Sequence, residues 1–150
     1  MIYPDTSFLC ALYRHQPGNS EKASACMRRR KKVLSISAMA LFEFKQAIRL
    51  HRFINTNDTN AGIVERDMVN SIRDVDHDLE AGILAVVSVD WPDVFSIAER
   101  LSVRYTVRDG NRTVDIIHVA AALHLGAREF LTFDTKQAEL AKKEGLVLGL

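Results

Sequence analysis

Met1-Ile2-Tyr3-Pro4-Asp5-Thr6-Ser7-Phe8-Leu9 opens the chain in the order apolar strand, polar turn, helix. Met1 to Tyr3 is the strand, Asp5-Thr6-Ser7 ends it, and Phe8 to Tyr13 carries a helix that stops before Gln16-Pro17-Gly18-Asn19. The same order returns near the other end, where Glu129 to Phe133 reads as a strand, Asp134 follows it, and Thr135 to Glu144 reads as a helix. Two strands that each run into an aspartate and then a helix set the fold class. Parallel neighbours need a crossover between them, and helices are the usual crossovers.

The intervening sequence continues the alternation. Ser20-Glu21-Lys22 restarts a helix that passes Met27 and ends in the basic run Arg28 to Lys32, where positive charge suits a helix C-terminus. Val33 to Ser37 is a second strand and Ala38 to Ile54 a helix. Asn55 to Gly62, rich in Asn, Asp and Thr, is a loop, and Ile63 to about Glu80 is helical. Ile83 to Val89 is a third strand, ended by Asp90-Trp91-Pro92, and a helix follows over Val94 to Tyr105. The polar stretch Arg108 to Arg112 leads into an apolar helix, Val114 to Leu125, stopped near Gly126. Leu146 to Leu150 is a final strand. The expected architecture is one α/β domain over residues 1–150, a three-layer α/β/α arrangement with a central, mostly parallel five-stranded sheet. Its functional crevice should lie beyond the carboxyl ends of the strands.

Asp5 and Asp134 sit at that edge if their strands are neighbours. Each also has a purely structural use, as the N-cap of the helix that follows, with Gln137 answering Asp134 from three residues on. Glu43 is followed at helical spacing by Ala47, Leu50 and Ile54, so its carboxylate lies on a partly apolar row and needs a partner. Lys45, Arg49 and Arg52 form a basic row on the other face, solvated or turned to nucleic acid. Asp115 lies in the first turn of the apolar helix, with Thr113 as its expected N-cap. One turn later His118 reads as a hydrogen-bonded core residue. Carboxylates gathered in one pocket repel one another and lose hydration, so they take up protons or bind a divalent cation. Oxygen-only ligands favour Mg²⁺ or Mn²⁺. Such a cation activates water and neutralises charge at phosphorus, which makes hydrolysis of a phosphodiester the natural chemistry.

Composition narrows the field. A chain of 150 residues with 47% hydrophobic and 26% charged residues buries a core without disulfides, and Cys10 and Cys26 are too isolated for a zinc site. A net charge of +1 supplies no global attraction for nucleic acid, so local basic residues must do so. Arg108 and Arg112, just ahead of the Asp115 helix, are the best placed. The N-terminus lacks the basic-then-apolar pattern of a secretory signal, and the apolar runs are too short to cross a bilayer, so the cytoplasm is the expected compartment.

Three segments together resemble the PIN-domain ribonucleases, specifically VapC-like toxins of toxin–antitoxin pairs. They are Asp5-Thr6-Ser7-Phe8-Leu9, Asp115-Ile116-Ile117-His118-Val119-Ala120-Ala121-Ala122-Leu123, and Leu131-Thr132-Phe133-Asp134-Thr135-Lys136-Gln137. The resemblance implies a catalytic acidic pocket of Asp5, Glu43, Asp115 and Asp134. Of these, Asp5, Asp115 and Asp134 hold Mg²⁺ or Mn²⁺, and Thr6 supports the pocket by hydrogen bonding. It also implies an RNA substrate, an antitoxin partner and a homodimer. Glu65 and Glu80 stand as alternatives to Glu43, and Pro4 is expected where strand pairing has ended. Two other functions fit parts of the pattern: a catalytically inactive PIN-like module that binds RNA or protein, and a phosphotransfer domain with an aspartyl intermediate.

Overall fold

Strand β1 (Ile2–Pro4) sends Ile2 to one face and Tyr3 to the other, and this alternation divides the molecule. The computed structural model describes residues 1–30, 32–57 and 62–150. On the Ile2 side, Phe8, Leu9, Cys26, Ile36, Phe44, Ile48, Leu84 and Leu131 form one core. On the Tyr3 side, Val94, Leu101, Val119, Phe130 and Leu140 form a second. The first is covered by α1 (Thr6–Tyr13), α2 (Asn19–Arg30), α3 (Ala38–Asn57) and α4 (Glu65–Glu80), and the second by α5 (Trp91–Leu101), α7 (Thr113–His124) and α8 (Thr135–Lys143). A short helix α6 (Val107–Asp109) joins α5 to α7. Helix layers on both faces give the expected three-layer α/β/α class. Each fully buried Phe or Leu contributes roughly 1.5–3 kcal/mol.

The sheet differs from expectation. β1 pairs in parallel with β4 (Glu129–Leu131), and β4 with β5 (Val147–Leu148). β2 (Leu34–Ser37) pairs in parallel with β3 (Leu84–Val87). β1 packs beside β2, but the described residues form ladders of three and two strands rather than one of five. Pro4 gives the reason. The amide of Asp5 donates to Leu131 O at 2.9 Å, so by alternation the nitrogen of Pro4 faces β2, where it has no hydrogen to give. Pro4 is in register with Leu131 rather than beyond the end of pairing.

Helix boundaries moved for local reasons. α3 runs past Ile54 to Asn57, and the side chains of Thr56 and Asn57 bond back to the carbonyls of Arg52 and Phe53. Part of the expected loop over 55–62 falls on residues 58–61, and Lys31 of the basic run likewise lies outside the described residues. α5 begins at Trp91 because Asp90 accepts from the Asp93 amide as N-cap, with Pro92 in the first turn. A π-helical turn over Ser102–Thr106 then carries the chain into α6, and Gly110, at φ 67°, ends it in the left-handed region. The N-cap of α7 is Arg112 rather than Thr113. Both cysteines are free and buried. Among the described residues no helix is long and apolar enough to cross a membrane.

Candidate functional site

β1 and β4 are neighbours, so Asp5 and Asp134 arrive at the same carboxyl edge of the sheet, and α3 and α7 bring Glu43 and Asp115 to it. A cleft of 490 Å³ opens there, lined by Thr6, Ser7, Cys10, Glu43, Arg112, Asp115, Asp134 and Gln137 among others. Asp5 lies directly beneath this lining and is wholly buried. Glu65 and Glu80 are exposed on α4 and do not line the cleft, whereas Glu43 does.

Asp5 caps α1: its Oδ1 accepts the Phe8 amide at 2.9 Å, and it also accepts the hydroxyls of Ser7 at 2.7 Å and Thr132 at 2.6 Å. Burial raises its carboxyl above the ordinary value against these hydrogen bonds and the charge of His118. Ser7 and Thr132 in turn receive the amides of Phe133 at 2.8 Å and Asp134 at 2.9 Å, which ties the turn after β1 to the turn after β4. Asp134 caps α8 by accepting the Gln137 amide at 2.9 Å. Capping and facing the cleft are therefore the same placement for Asp134, while Asp5 caps α1 from beneath the cleft lining.

Asp115 Oδ2 accepts the backbone amide of Arg112 at 3.1 Å and its Nε at 3.3 Å, while Oδ1 accepts the Gln137 side-chain amide at 3.3 Å. The Arg112 guanidinium also reaches Asp134 Oδ2 at 3.7 Å. Two residues thus bridge Asp115 and Asp134: Gln137 from within and Arg112 from the solvent side. Glu43 is held differently. Its Oε2 receives the Thr6 hydroxyl and, at 2.5 Å, Nε2 of the fully buried His118. Burial alone would raise the Glu43 carboxyl, but the hydrogen bonds from His118 and Thr6 outweigh it and the net shift is downward.

Arg112 is thus at the cleft, as expected. Arg108 is not among its lining residues; it pairs with Asp109 at 2.9 Å and lies over the Tyr105 ring. The basic run after Met27 precedes β2, so it sits at the opposite, amino edge of the sheet, where Arg30 pairs with Glu129 at the start of β4. Ser7, Thr132, Gln137 and His118 are the site residues that sequence reasoning missed. Ser7 and Thr132 stood inside motifs already singled out. His118 looked like core because it is core.

The donor set fits a hard divalent cation: four carboxylates from four elements, and a buried Gln137 Oε1 that has no hydrogen-bond partner. As they stand, no three His, Cys, Asp or Glu side chains among the described residues are gathered closely enough to hold an ion, and Arg112 supplies the counter-charge between two of them. Asp5 is followed by Thr6 and Ser7, with no second acid beside it, which argues against phosphotransfer.

An α/β/α domain with an acidic cleft at the carboxyl edge of a parallel sheet is the class that fold and site define. A PIN-domain family model matches residues 2–143, and the chain belongs to that family. No curated protein sequence matches it significantly. Its fold is similar to that of VapC20, a sarcin–ricin-loop-cleaving toxin of Mycobacterium tuberculosis, with a TM-score of 0.64 and 21% identity over 93% of this chain and 94% of that one. FitAcB from Neisseria gonorrhoeae is similar with a TM-score of 0.65 and 18% identity over 100% and 97% of the two chains. PAE2754 from Pyrobaculum aerophilum gives 0.61 and 18% over 97% and 81%.

Proposed function

We propose that this chain is a divalent-cation-dependent endoribonuclease that hydrolyses RNA phosphodiester bonds as the toxin of a toxin–antitoxin pair. The observation that carries this reading is the gathering of Glu43, Asp115 and Asp134 along one cleft, from α3, α7 and the turn after β4, with Asp5 at the end of β1 buried beneath it. Asp5, Asp115 and Asp134 would hold Mg²⁺ or Mn²⁺. The bound cation supplies an activated water and neutralises charge that develops on the phosphate. The chain's own part is positioning. Ser7 and Thr132 fix Asp5, Gln137 fixes Asp115 and Asp134, and Thr6 with His118 fixes Glu43. Arg112 is the one cationic side chain lining the cleft among the described residues, which supports it as the group that would hold the RNA backbone. Arg108, expected as a second RNA contact, lies outside the cleft lining and is paired with Asp109, so the reading rests on Arg112.

The same reading includes an antitoxin partner, a homodimer and a cytoplasmic location. Phe42, Leu50 and Phe53 are exposed along α3 and support an association surface, which light scattering on the purified protein checks.

The decisive experiment incubates the protein with structured RNA in Mg²⁺ or Mn²⁺, with chelator, and as Asp5→Asn. Cleavage that disappears in both controls supports the reading. Absence of cleavage with every metal and several RNAs replaces it with an inactive PIN-like module that binds RNA or protein.

A further inference from the structure

Three of the four acids are anchored through the backbone around them. Asp5 and Asp134 are helix N-caps, and Asp115 accepts the amide of Arg112. Glu43 has no such anchor. It lies in the second turn of α3, on a side chain with three rotatable bonds, and left alone its carboxylate would sample several orientations. Two donors converge on a single oxygen, Oε2: the hydroxyl of Thr6 and Nε2 of His118. Thr6 Oγ1 and His118 Nε2 are themselves 3.3 Å apart, so the three groups form one cluster. No hydrogen bond to Oε1 is formed by the described residues.

The imidazole is itself backed. Its Nδ1 faces the Tyr3 hydroxyl at 3.5 Å, with the two rings tilted by 60° at 6.2 Å between centroids. That hydroxyl bonds Ser37 Oγ at 2.9 Å, and Ser37 Oγ accepts the amide of Ala40, in the first turn of α3. The path closes on the helix that carries Glu43. A fully buried histidine can rotate only at the cost of this whole set, so it is a rigid partner.

We propose that His118 is a positioning residue of the site: with Thr6 it holds Oε2 of Glu43 and thereby presents Oε1 to the cleft as a further oxygen ligand beside those of Asp5, Asp115 and Asp134. It acts only through Glu43 and touches neither substrate nor cation. This rests on the divalent-cation reading above and deepens it.

The test measures Mn²⁺ binding calorimetrically on the full chain, alongside the melting temperature of each variant. His118→Leu keeps an apolar side chain but has no donor, and it should weaken Mn²⁺ binding by about tenfold or more, the range carried by partners of metal-site groups. His118→Gln, which returns an N–H at similar reach, should restore most of that loss, while His118→Asn, too short to reach Glu43, should not. Thr6→Val, at the other donor, should weaken binding in the same direction without entering the core, and it keeps the test open if His118→Leu fails to fold. In a Glu43→Gln background His118→Leu should cause no further loss. Equal loss in that background, or lower melting temperatures with unchanged Mn²⁺ affinity, makes His118 purely structural and overturns the proposal. If the unaltered chain binds no Mn²⁺, the divalent-cation reading itself fails and takes this inference with it.

Discussion

Arg112 and a divalent cation compete for the same two carboxylates. The guanidinium lies 3.3 Å from Asp115 and 3.7 Å from Asp134, yet its side chain is 74% exposed, so little holds it there beyond those charges. A doubly charged ion in the cleft replaces it at small cost and frees it for phosphate. Arg112→Gln should therefore bind Mn²⁺ several-fold more tightly by calorimetry while binding RNA more weakly. Weaker Mn²⁺ binding in this variant would mean that Arg112 organises the acids rather than competing for them. At this scale the sequence was informative where a residue's place along an element decides its role. Asp5, Asp115 and Asp134 are first-turn or strand-end acids, and their positions followed from periodicity. Glu43 was marked by its partly apolar helical row, the resemblance gave it a role, and of Glu43, Glu65 and Glu80 it is the one that lines the cleft. His118 was illegible as a site residue because a buried imidazole bonded to a carboxylate and one bonded to any core group leave the same pattern of apolar neighbours.

Helix α8 makes the double use of strand-end acids testable at the level of an element. Asp134 caps it through the Gln137 amide, and the same carboxylate faces the cleft. Asparagine caps about as well as aspartate, whereas alanine costs about 0.5–2 kcal/mol. Asp134→Asn should thus melt close to the unaltered protein, and Asp134→Ala should melt lower, while both lose Mn²⁺ binding. If Asp134→Asn keeps full Mn²⁺ affinity, Asp134 is a cap and nothing more. Elements themselves were largely legible: every expected strand and helix exists, most of them marked by a core face and a stop signal, although β5 exposes both its residues. What was not legible depends on neighbours. A π-turn over Ser102–Thr106 has no marker in propensity, and the break between β1 and β2 depends on which way the Pro4 nitrogen points.

The whole molecule is two cores on opposite faces of the strand layer, and the acids are divided between them. Asp5 and Glu43 stand over the α1–α4 layer, with Phe8 and Phe44 beneath, while Asp115 and Asp134 begin helices of the α7–α8 layer, with Val119 and Leu140 beneath. A cation held by acids from both sides ties the layers together, and it also offsets the repulsion and the burial that raises the Asp5 carboxyl. Ligand that binds only the folded state at a hundred times its Kd contributes about 2.7 kcal/mol, which for a domain of this size is roughly 5–10 °C in melting temperature. Saturating Mn²⁺ should produce a shift of that size, and Asp115→Asn should abolish it. The protein's single tryptophan, Trp91, starts α5 and reports only the second layer, whereas far-UV circular dichroism reports every helix. Both midpoints should move together, because a site built from both cores stabilises neither alone. A circular dichroism midpoint that rises while the Trp91 midpoint stays fixed would show that the layers unfold separately and that the cation is held by Asp5 and Glu43 on one side of the sheet.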